Sequence, residues 1–187
     1  MPTPQPPDDL IDACRRGDRE AFGELFDLCR DRVHAVALGI CGDRAVAADV
    51  TQDVFIKVLT RLSQSDGRSA FTTWLYRLAV NTALDTRRAS RRLVALPDGV
   101  ADGRRVDEEF ARREERRRVA GAVQALPDHL RVPIVLRHHE GLAYADIARI
   151  LDVPPGTVAS RLARAHAAIA RTLALEPPDH ARAARCR

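Results

Sequence analysis

The sequence predicts an all-α protein built from two helical domains joined by a flexible linker. Apolar residues recur every three or four positions along most of the chain, which is typical of helices with one buried face. No alternating run of apolar and polar residues is long enough to predict a strand. One stretch, residues 96–106, interrupts the helical pattern and is rich in the proline, glycine and aspartate of a linker.

Composition narrows the class of protein. The 187 residues are 45% hydrophobic and 30% charged, as in globular proteins, and this length allows one or two domains. The net charge of +4 permits a nucleic-acid partner without demonstrating one. The N-terminus lacks the pattern of a signal peptide and no apolar run is as long as a membrane span. We therefore expect a cytoplasmic protein without membrane insertion.

The first predicted domain covers residues 8–95 and follows a proline-rich N-terminus, residues 1–7, that we expect to be disordered. Its helices are predicted over about residues 8–16, 19–40, 43–62 and 71–93. In the third helix, valines recur every four residues, while Asp49, Gln52, Asp53, Ile56 and Lys57 lie largely on the other side. An acidic face on a basic protein points to a protein partner, and a plain solvated face is the alternative.

The fourth helix carries a basic stripe. Arg77, Asn81, Asp85, Arg88 and Arg92 recur every three or four residues, and Trp74 and Tyr76 lie beside them. Arginine can neutralise phosphates, and aromatic rings can stack on unpaired bases. The alternative is an arginine-rich helix end that complements the helix dipole, which accounts for the last arginines but not for Arg77.

The second predicted domain covers residues 107–175. A helix is expected from about residue 107 to 126, and Asp128 is expected to cap the next helix. Leu130, Ile134, Val135 and His138 are predicted to face inward, and His138 and His139 are interpreted as structural. Gly141 should end this helix.

A helix-turn-helix is predicted next. Tyr144, Ile147, Ala148 and Leu151 form one apolar face, and the residues 152–156 contain the proline and glycine that break helices. Thr157 is expected to cap the second helix. That helix has an apolar stripe, contains no Asp or Glu, and presents short polar and arginine side chains on its other face. Such a helix suits the DNA major groove, and an ordinary amphipathic hairpin is the alternative.

No catalytic or metal-binding motif is apparent in the sequence. The four cysteines, Cys14, Cys29, Cys41 and Cys186, are scattered without the spacing of a zinc site, and those on apolar helices are predicted to be small core residues. No nucleophile with a base and no phosphate-binding loop is visible. We therefore predict no enzyme activity, no metal and no cofactor.

Taken together, the segments resemble a bacterial extracytoplasmic-function sigma factor, the smallest type in the family related to the primary sigma factor. Each motif is degenerate, but their order and spacing are specific. With residues 10–40 they cover nearly the whole chain. The segments are DVTQDVFIKVLTRL at 49–62, FTTWLYRLAVNTALDTRR at 71–88, LPDHLRVPIVLRHHEGLAYADIARIL at 126–151 and VPPGTVASRLARAHAAI at 153–169.

The resemblance implies three sets of functional residues. Family region 2.2 docks on the clamp helices of the RNA polymerase β′ subunit, and it matches Asp49, Gln52, Asp53 and Phe55. Regions 2.3 and 2.4 open and read the −10 element, and they match Trp74, Arg77, Asn81, Asp85, Arg87 and Arg88. The loop at residues 64–69 corresponds to the family loop that holds a flipped base. Region 4.2 reads the −35 element, and it matches Thr157, Ser160, Arg161 and Arg164.

The chain departs from the family pattern at three positions. Ala159 replaces a frequent lysine, His166 a frequent arginine, and Ala143 a frequent serine or threonine. These changes leave the fold intact but remove cationic contacts, which affects the strength of −35 binding. The tail, residues 176–187, is not part of the matched motifs.

The resemblance therefore implies a sigma factor that binds core RNA polymerase through the β′ clamp helices and the β flap. It would recognise promoter DNA in a stress or envelope response and be held inactive by an anti-sigma factor. Two alternatives remain. A stand-alone helix-turn-helix repressor would bind duplex promoter without polymerase, and a sigma-mimicking adaptor that sequesters an anti-sigma factor should lack the basic stripe.

Overall fold

The computed structural model describes residues 5–64, 70–93 and 108–175, which form helices and no strand. The helices are α1 (Asp8–Arg15), α2 (Arg19–Cys41), α3 (Arg44–Arg61), α4 (Phe71–Leu93), α5 (Glu108–Ala125), α6 (Asp128–Glu140), α7 (Tyr144–Leu151) and α8 (Pro155–Leu175). A 3-10 turn, Leu62–Gln64, follows α3. This confirms the predicted all-α fold. The predicted linker and C-terminal tail, and most of the loop at 64–69, lie outside the described residues.

The reversal between α2 and α3 is determined by its capping residues. Gly42, with a φ of +81°, ends α2 in the left-handed conformation that glycine adopts without strain. Asp43 follows at once, and its carboxylate accepts a hydrogen bond of 2.9 Å from the N–H of Val46. At the other end of α2, the carboxylate of Asp18 accepts from the N–H groups of Glu20 and Ala21. Gly42 and Asp43 thus end one helix and begin the next within two residues, so that α3 folds back against α2.

The N-terminal core lies between α2, α3 and α4, which pack against one another. The valine repeat of α3 is buried as predicted, with the exception of its first member, Val46, which is half-buried. Burial of one branched side chain contributes about 1.5–3 kcal/mol, so this stripe holds the three helices together. The buried side chains of α2 and α3 include Leu25, Cys29, Val33, Val36, Ile40, Val50, Val54, Phe55 and Val58.

The C-terminal helices form the predicted helix-turn-helix. Gly141, with a φ of +65°, ends α6, and Asp152, with a φ of +53°, ends α7. Helices α7 and α8 then pack through Ile147, Val158 and Leu162, which are all buried. The outer face of α8 is thereby left exposed to solvent.

The N-terminal helices α1–α4 and the C-terminal helices α5–α8 also pack against each other. Helix α2 contacts α5 and α6, and α4 contacts α7. At Gly39 the approach is close, since a Cβ built there would lie 2.8 Å from Cγ1 of the buried Val135. The absence of a side chain at position 39 therefore permits this packing of α2 on α6.

Three local predictions in the C-terminal helices were wrong. The N-cap of α6 is Pro127, and Asp128 is already helical, so its carboxylate does not cap the helix. Helix α8 begins at Pro155, whose constrained φ suits a first helical position, so Thr157 lies within the first turn. His138 is exposed at the end of α6 because α6 buries its preceding residues, Leu130 to Leu136, and not its last turn.

A fourth prediction, that Tyr144 belongs to the buried face of α7, was also wrong. Tyr144 is the first residue of α7 and is 44% exposed. Its ring lies below the guanidinium of Arg137, at 5.6 Å from the Cζ atom to the ring centroid. The ring therefore forms a cation–π contact at the surface and leaves the apolar packing of α7 to Ile147, Ala148 and Ile150.

Candidate nucleic-acid interface

The outer face of α3 combines acidic and apolar side chains. Asp49, Gln52 and Asp53 are exposed on it. Ile56 and Leu59, each 60% exposed, extend the same helix surface and were not among the predicted site residues. The sequence could have indicated their exposure, because both lie outside the buried valine repeat of α3. Exposed large apolar side chains beside carboxylates are characteristic of a protein-binding surface.

Phe55, which the resemblance assigns to the same site, lies in the core and not on that surface. It is 4% exposed, and its ring meets the ring of Phe26 edge-on with centroids 4.7 Å apart. Its contribution to a partner surface is therefore to hold α3 against α2, with the exposed residues around it making any direct contact.

The basic stripe of α4 has an exposed part and a part that contacts other helices. Asn81, Asp85 and Arg88 are exposed, and the Arg88 guanidinium lies 3.5 Å from the Asp85 carboxylate. This exposed pair is open to solvent and to a phosphate. Trp74 is half-buried and packs against Phe71, with ring centroids 5.9 Å apart. Its indole therefore presents only part of its surface for stacking.

Arg77, the first residue of the stripe, contacts the C-terminal end of α7. Its Nε donates to the carbonyl of Ile150 at 3.3 Å, and its Nη2 donates to the carbonyl of Arg149. The last carbonyls of a helix lack intrahelical partners and carry partial negative charge, so a guanidinium is a favourable partner for them. The same guanidinium is thus a candidate for promoter DNA and a contact between the two halves.

Arg87 is more deeply engaged, with only 12% of its side chain exposed. Its Nη1 donates to the carbonyl of Ile40 at 3.0 Å and to the side-chain oxygen of Gln124 at 2.9 Å. Its Nε lies 3.4 Å from the Asp128 carboxylate. In this arrangement Arg87 joins α4 to α2, α5 and α6, and a role in DNA contact would require a different position of its side chain.

Asp128 also accepts from Arg131, whose side chain is fully buried. The Arg131 guanidinium donates to the carbonyls of Val123 at 3.1 Å and Gln124 at 2.7 Å, and to that of Leu126. A buried charge is tolerated only when its donors are satisfied, and here the carbonyls of the α5–α6 corner satisfy them. The Asp128 carboxylate thus serves as a partner of both Arg87 and Arg131 at this corner.

Tyr76 makes a further contact between the two halves. It is 2% exposed, and its hydroxyl donates a hydrogen bond to the Glu140 carboxylate at the end of α6. Burial, and then the interaction with Glu140, raises the pKa of the Tyr76 phenol well above its usual range. The phenol therefore stays protonated and available as a donor.

The outer face of α8 is the second candidate DNA surface. Ser160 and Arg164 are exposed, while Thr157 and Arg161 are half-buried. The Ser160 hydroxyl donates to the carbonyl of Thr157, and Nε of Arg164 donates to the carbonyl of Ser160 at 3.3 Å. The structure thus brings the four predicted residues together over two turns of one helix, with Arg164 exposed and Arg161 half-buried.

The described residues contain no group of three or more histidine, cysteine or carboxylate side chains that could hold a metal ion. Cys29 is buried, and burial raises the pKa of its thiol to about 11, as expected for a core residue. Within the described part of the chain, no helix is long and apolar enough to cross a membrane.

Comparison with known proteins agrees with this architecture. Residues 25–93 match the family described as Sigma-70 region 2, and residues 116–169 match Sigma-70, region 4. The ECF RNA polymerase sigma-E factor of Haemophilus influenzae is 38% identical over 169 residues, which span 83% of this chain and 89% of that protein. The chain belongs to the extracytoplasmic-function sigma factors.

Other relatives extend this likeness. The RNA polymerase sigma-H factor of Pseudomonas aeruginosa is 35% identical over 190 residues, covering 92% of this sigma factor and 96% of its relative. A solved structure of CnrH in complex with the cytosolic domain of CnrY matches with a TM-score of 0.70 and 26% identity, over 90% of this chain and 97% of that one. Helices α2–α4 are therefore sigma region 2, and α5–α8 contain sigma region 4.

One departure from the family pattern has a visible structural effect. Ala143, where the family often has serine or threonine, is the N-cap of α7 and makes no side-chain hydrogen bond to the helix. Its backbone is extended, as in capped helices. The first turn of α7 in this sigma factor therefore lacks a cap that a hydroxyl at position 143 would provide.

Proposed function

We propose that this sigma factor binds core RNA polymerase in the cytoplasm and directs it to promoters by recognising −10 and −35 elements. The proposal rests on the presence, in one chain, of an acidic and apolar face on α3 and two separate basic faces on α4 and α8. A protein that only bound duplex DNA would need α8 but not the face of α3.

We assign the polymerase contact to Asp49, Gln52 and Asp53 on the surface of α3, with Phe55 supporting them from the core. The −10 contact is assigned to Trp74, Arg77, Asn81, Asp85, Arg87 and Arg88, and the −35 contact to Thr157, Ser160, Arg161 and Arg164. Arg77 and Arg87 take up this role after their contacts with the C-terminal helices are released. The chain contributes recognition, and the chemistry of RNA synthesis belongs to the polymerase.

Control by an anti-sigma factor completes the proposal. CnrH, which shares the fold and 26% of its residues, forms a complex with the cytosolic domain of CnrY. The present sigma factor has a mixed acidic and apolar face on α3 that such a partner can cover. Covering that face would prevent the polymerase contact, which is the simplest way for a second protein to keep the sigma factor inactive.

The test is run-off transcription with purified core polymerase on a library of promoter fragments. The wild-type chain should direct initiation from fragments with defined −10 and −35 elements. A double variant, Asp49→Arg with Asp53→Arg, should lose both core binding and run-off product because it reverses the charge of the α3 face. Asp8→Arg, an exposed acidic position on α1, is the matched control and should retain both.

The outcomes separate the proposal from its alternatives. Unchanged core binding by the double variant would remove the α3 assignment. Duplex binding without any polymerase-dependent transcript would support the repressor. A sigma-mimicking adaptor would give neither a transcript nor promoter binding. The exposed Arg88 and Arg164 argue against that outcome, because exposed arginines can contact DNA phosphates.

A further inference from the structure

Two histidines from different helices meet at the surface of region 4. Nε2 of His138, on α6, lies 3.0 Å from Nε2 of His166, on α8. The two rings are edge-on, with centroids 5.3 Å apart and an interplanar angle of 84°. Helices α6 and α8 pack against each other, so the fold holds the backbone positions from which the two side chains extend.

Both rings are accessible. His138 and His166 are exposed, so a hydrated ion can reach the pair without any rearrangement of the backbone. Within the described residues, no third histidine, cysteine or carboxylate joins them to form a larger cluster. Any ion held here would therefore have two protein ligands, with water in its remaining positions.

Metal binding needs a neutral imidazole, and the surroundings of His138 favour its neutral form. Partial burial lowers the pKa of His138, and the neighbouring charges of His166, Arg137 and His139 lower it further. When both imidazoles are neutral, the Nε2–H of one ring donates to Nε2 of the other. A metal ion on both Nε2 atoms moves that proton to Nδ1 of the same ring, so no net proton is released.

We propose that His138 and His166 form a two-imidazole site for a divalent first-row transition ion of the Zn²⁺, Ni²⁺ or Cu²⁺ class. With Zn–N bonds of about 2.0–2.1 Å and tetrahedral angles, the two nitrogens would be about 3.3 Å apart. The observed pair has to separate by a few tenths of an ångström, and both exposed rings have to turn so that their Nε2 lone pairs point at the ion and not at each other. Imidazole is a preferred ligand for these ions, whereas Mg²⁺ and Ca²⁺ prefer oxygen.

The site would connect the recognition helix to the rest of region 4. His166 follows Arg164 by two positions on α8, whereas His138 is in the last turn of α6. A metal bridge adds a cross-link between these two helices that forms only in the folded protein. The bound ion therefore stabilises region 4 by mass action, to an extent that grows with its concentration.

The test uses the full-length chain without a histidine tag, stripped of metal and then titrated with Ni²⁺ or Zn²⁺ by isothermal calorimetry. We expect one ion per chain and a rise in Tm with added metal. His138→Gln and His166→Gln should each weaken binding by more than the roughly 10–100-fold that follows loss of an outer-shell partner of a ligand. His139→Gln, the exposed neighbour of His138, is the matched control and should bind as the wild type does.

Cobalt separates this site from the thiols of the chain. Co²⁺ bound to imidazoles gives d–d bands without the thiolate charge-transfer band that cysteine ligation would produce. Unchanged binding in both His138→Gln and His166→Gln, or a thiolate band in the cobalt spectrum of the tight site, would overturn the proposal. Because both histidines are exposed, the apo variants should keep the circular dichroism of the wild type, so loss of binding is not loss of fold.

Discussion

The guanidinium of Arg77 is hydrogen-bonded to the backbone carbonyl of Ile150, across the boundary between region 2 and region 4. Arg77 belongs to the stripe that we assign to the −10 element, and Ile150 belongs to the first helix of the helix-turn-helix. One guanidinium cannot occupy both positions. We therefore expect −10 DNA and region 4 to compete for Arg77, and this competition leads to the first prediction.

Arg77→Ala should reduce binding to single-stranded −10 DNA and also lower the free energy of unfolding. Loss of two hydrogen bonds to carbonyls gives an expected decrease of about 1–3 kcal/mol. Arg88→Ala is the matched control, because Arg88 lies on the same stripe and, within the described residues, pairs with Asp85 one turn away on α4. It should weaken DNA binding and change stability by less than about 0.5 kcal/mol.

Fluorescence anisotropy with a labelled oligonucleotide and urea unfolding provide the two measurements. If Arg77→Ala and Arg88→Ala were equally stable, the contact with α7 would contribute nothing to the packed arrangement. The competition would then have to be assigned to Arg87.

Tyr76→Phe should destabilise the chain at neutral pH and remove a pH dependence at alkaline pH. The lost hydrogen bond has a charged acceptor, so about 1.5–3 kcal/mol is expected. The folded state raises the pKa of this phenol, whereas the unfolded chain releases the proton near a pH of about 10. The stabilisation is thus complete below that pH and is lost as the pH rises further.

Urea unfolding at several pH values between neutral and alkaline conditions measures this effect, with Tyr144→Phe as the control. Tyr144 is exposed, so its replacement should leave the curve of stability against pH as in the wild type. Parallel curves for Tyr76→Phe and the wild type would show that the folded state does not raise the pKa of Tyr76.

Arg164→Ala should weaken binding to a −35 duplex by about 1–3 kcal/mol and relax specificity at one base pair, if the guanidinium contacts a guanine. Arg171→Ala is the control, since Arg171 is exposed farther along the same helix. Electrophoretic mobility shifts with single-base −35 variants distinguish the possibilities. An equal loss over every variant would indicate a phosphate contact, and the slope of affinity against salt should then decrease.

Ala143→Ser should stabilise the protein, because its hydroxyl can accept from an N–H group of the first turn of α7, where Ala143 offers only its carbonyl. The expected gain is about 0.5–2 kcal/mol. Ala145→Ser, inside α7 and exposed, is the matched control and should be neutral or slightly destabilising since serine is the weaker helix former. Thermal unfolding followed by circular dichroism compares the two variants. Equal Tm values for the two would contradict the capping argument.

Helix positions were predictable because they depend on local spacing. The repeat of Val50, Val54 and Val58 has the period of a helix, and Gly42 and Gly141 end helices for reasons contained in one residue. The four residues assigned to the −35 contact lie on one helix, α8, for the same reason. Helix N-caps were less predictable. Asp128 is a common capping residue type, but here its carboxylate accepts from the Arg131 guanidinium.

The contacts between the two halves could not be derived from the sequence. Arg77 binds backbone carbonyls, and every residue has one, so no side-chain pattern marks Arg149 and Ile150 as acceptors. The pairing of His138 with His166 likewise depends on how α6 and α8 cross. Phe55 was placed at a partner surface by resemblance, whereas its burial follows from packing with Phe26.

The packing of α2 on α6 depends on the absence of a side chain at Gly39, so one amino-acid substitution can disrupt it. Every other amino acid brings a carbon atom to within 2.9 Å of both Cγ atoms of Val135, whereas added carbons at Gly23, Gly121 and Gly156 meet nothing within 4 Å. A side chain is therefore sterically tolerated at those three glycines, whereas at position 39 it would push α6 away from α2. Any residue other than glycine there should weaken the packing of region 2 on region 4.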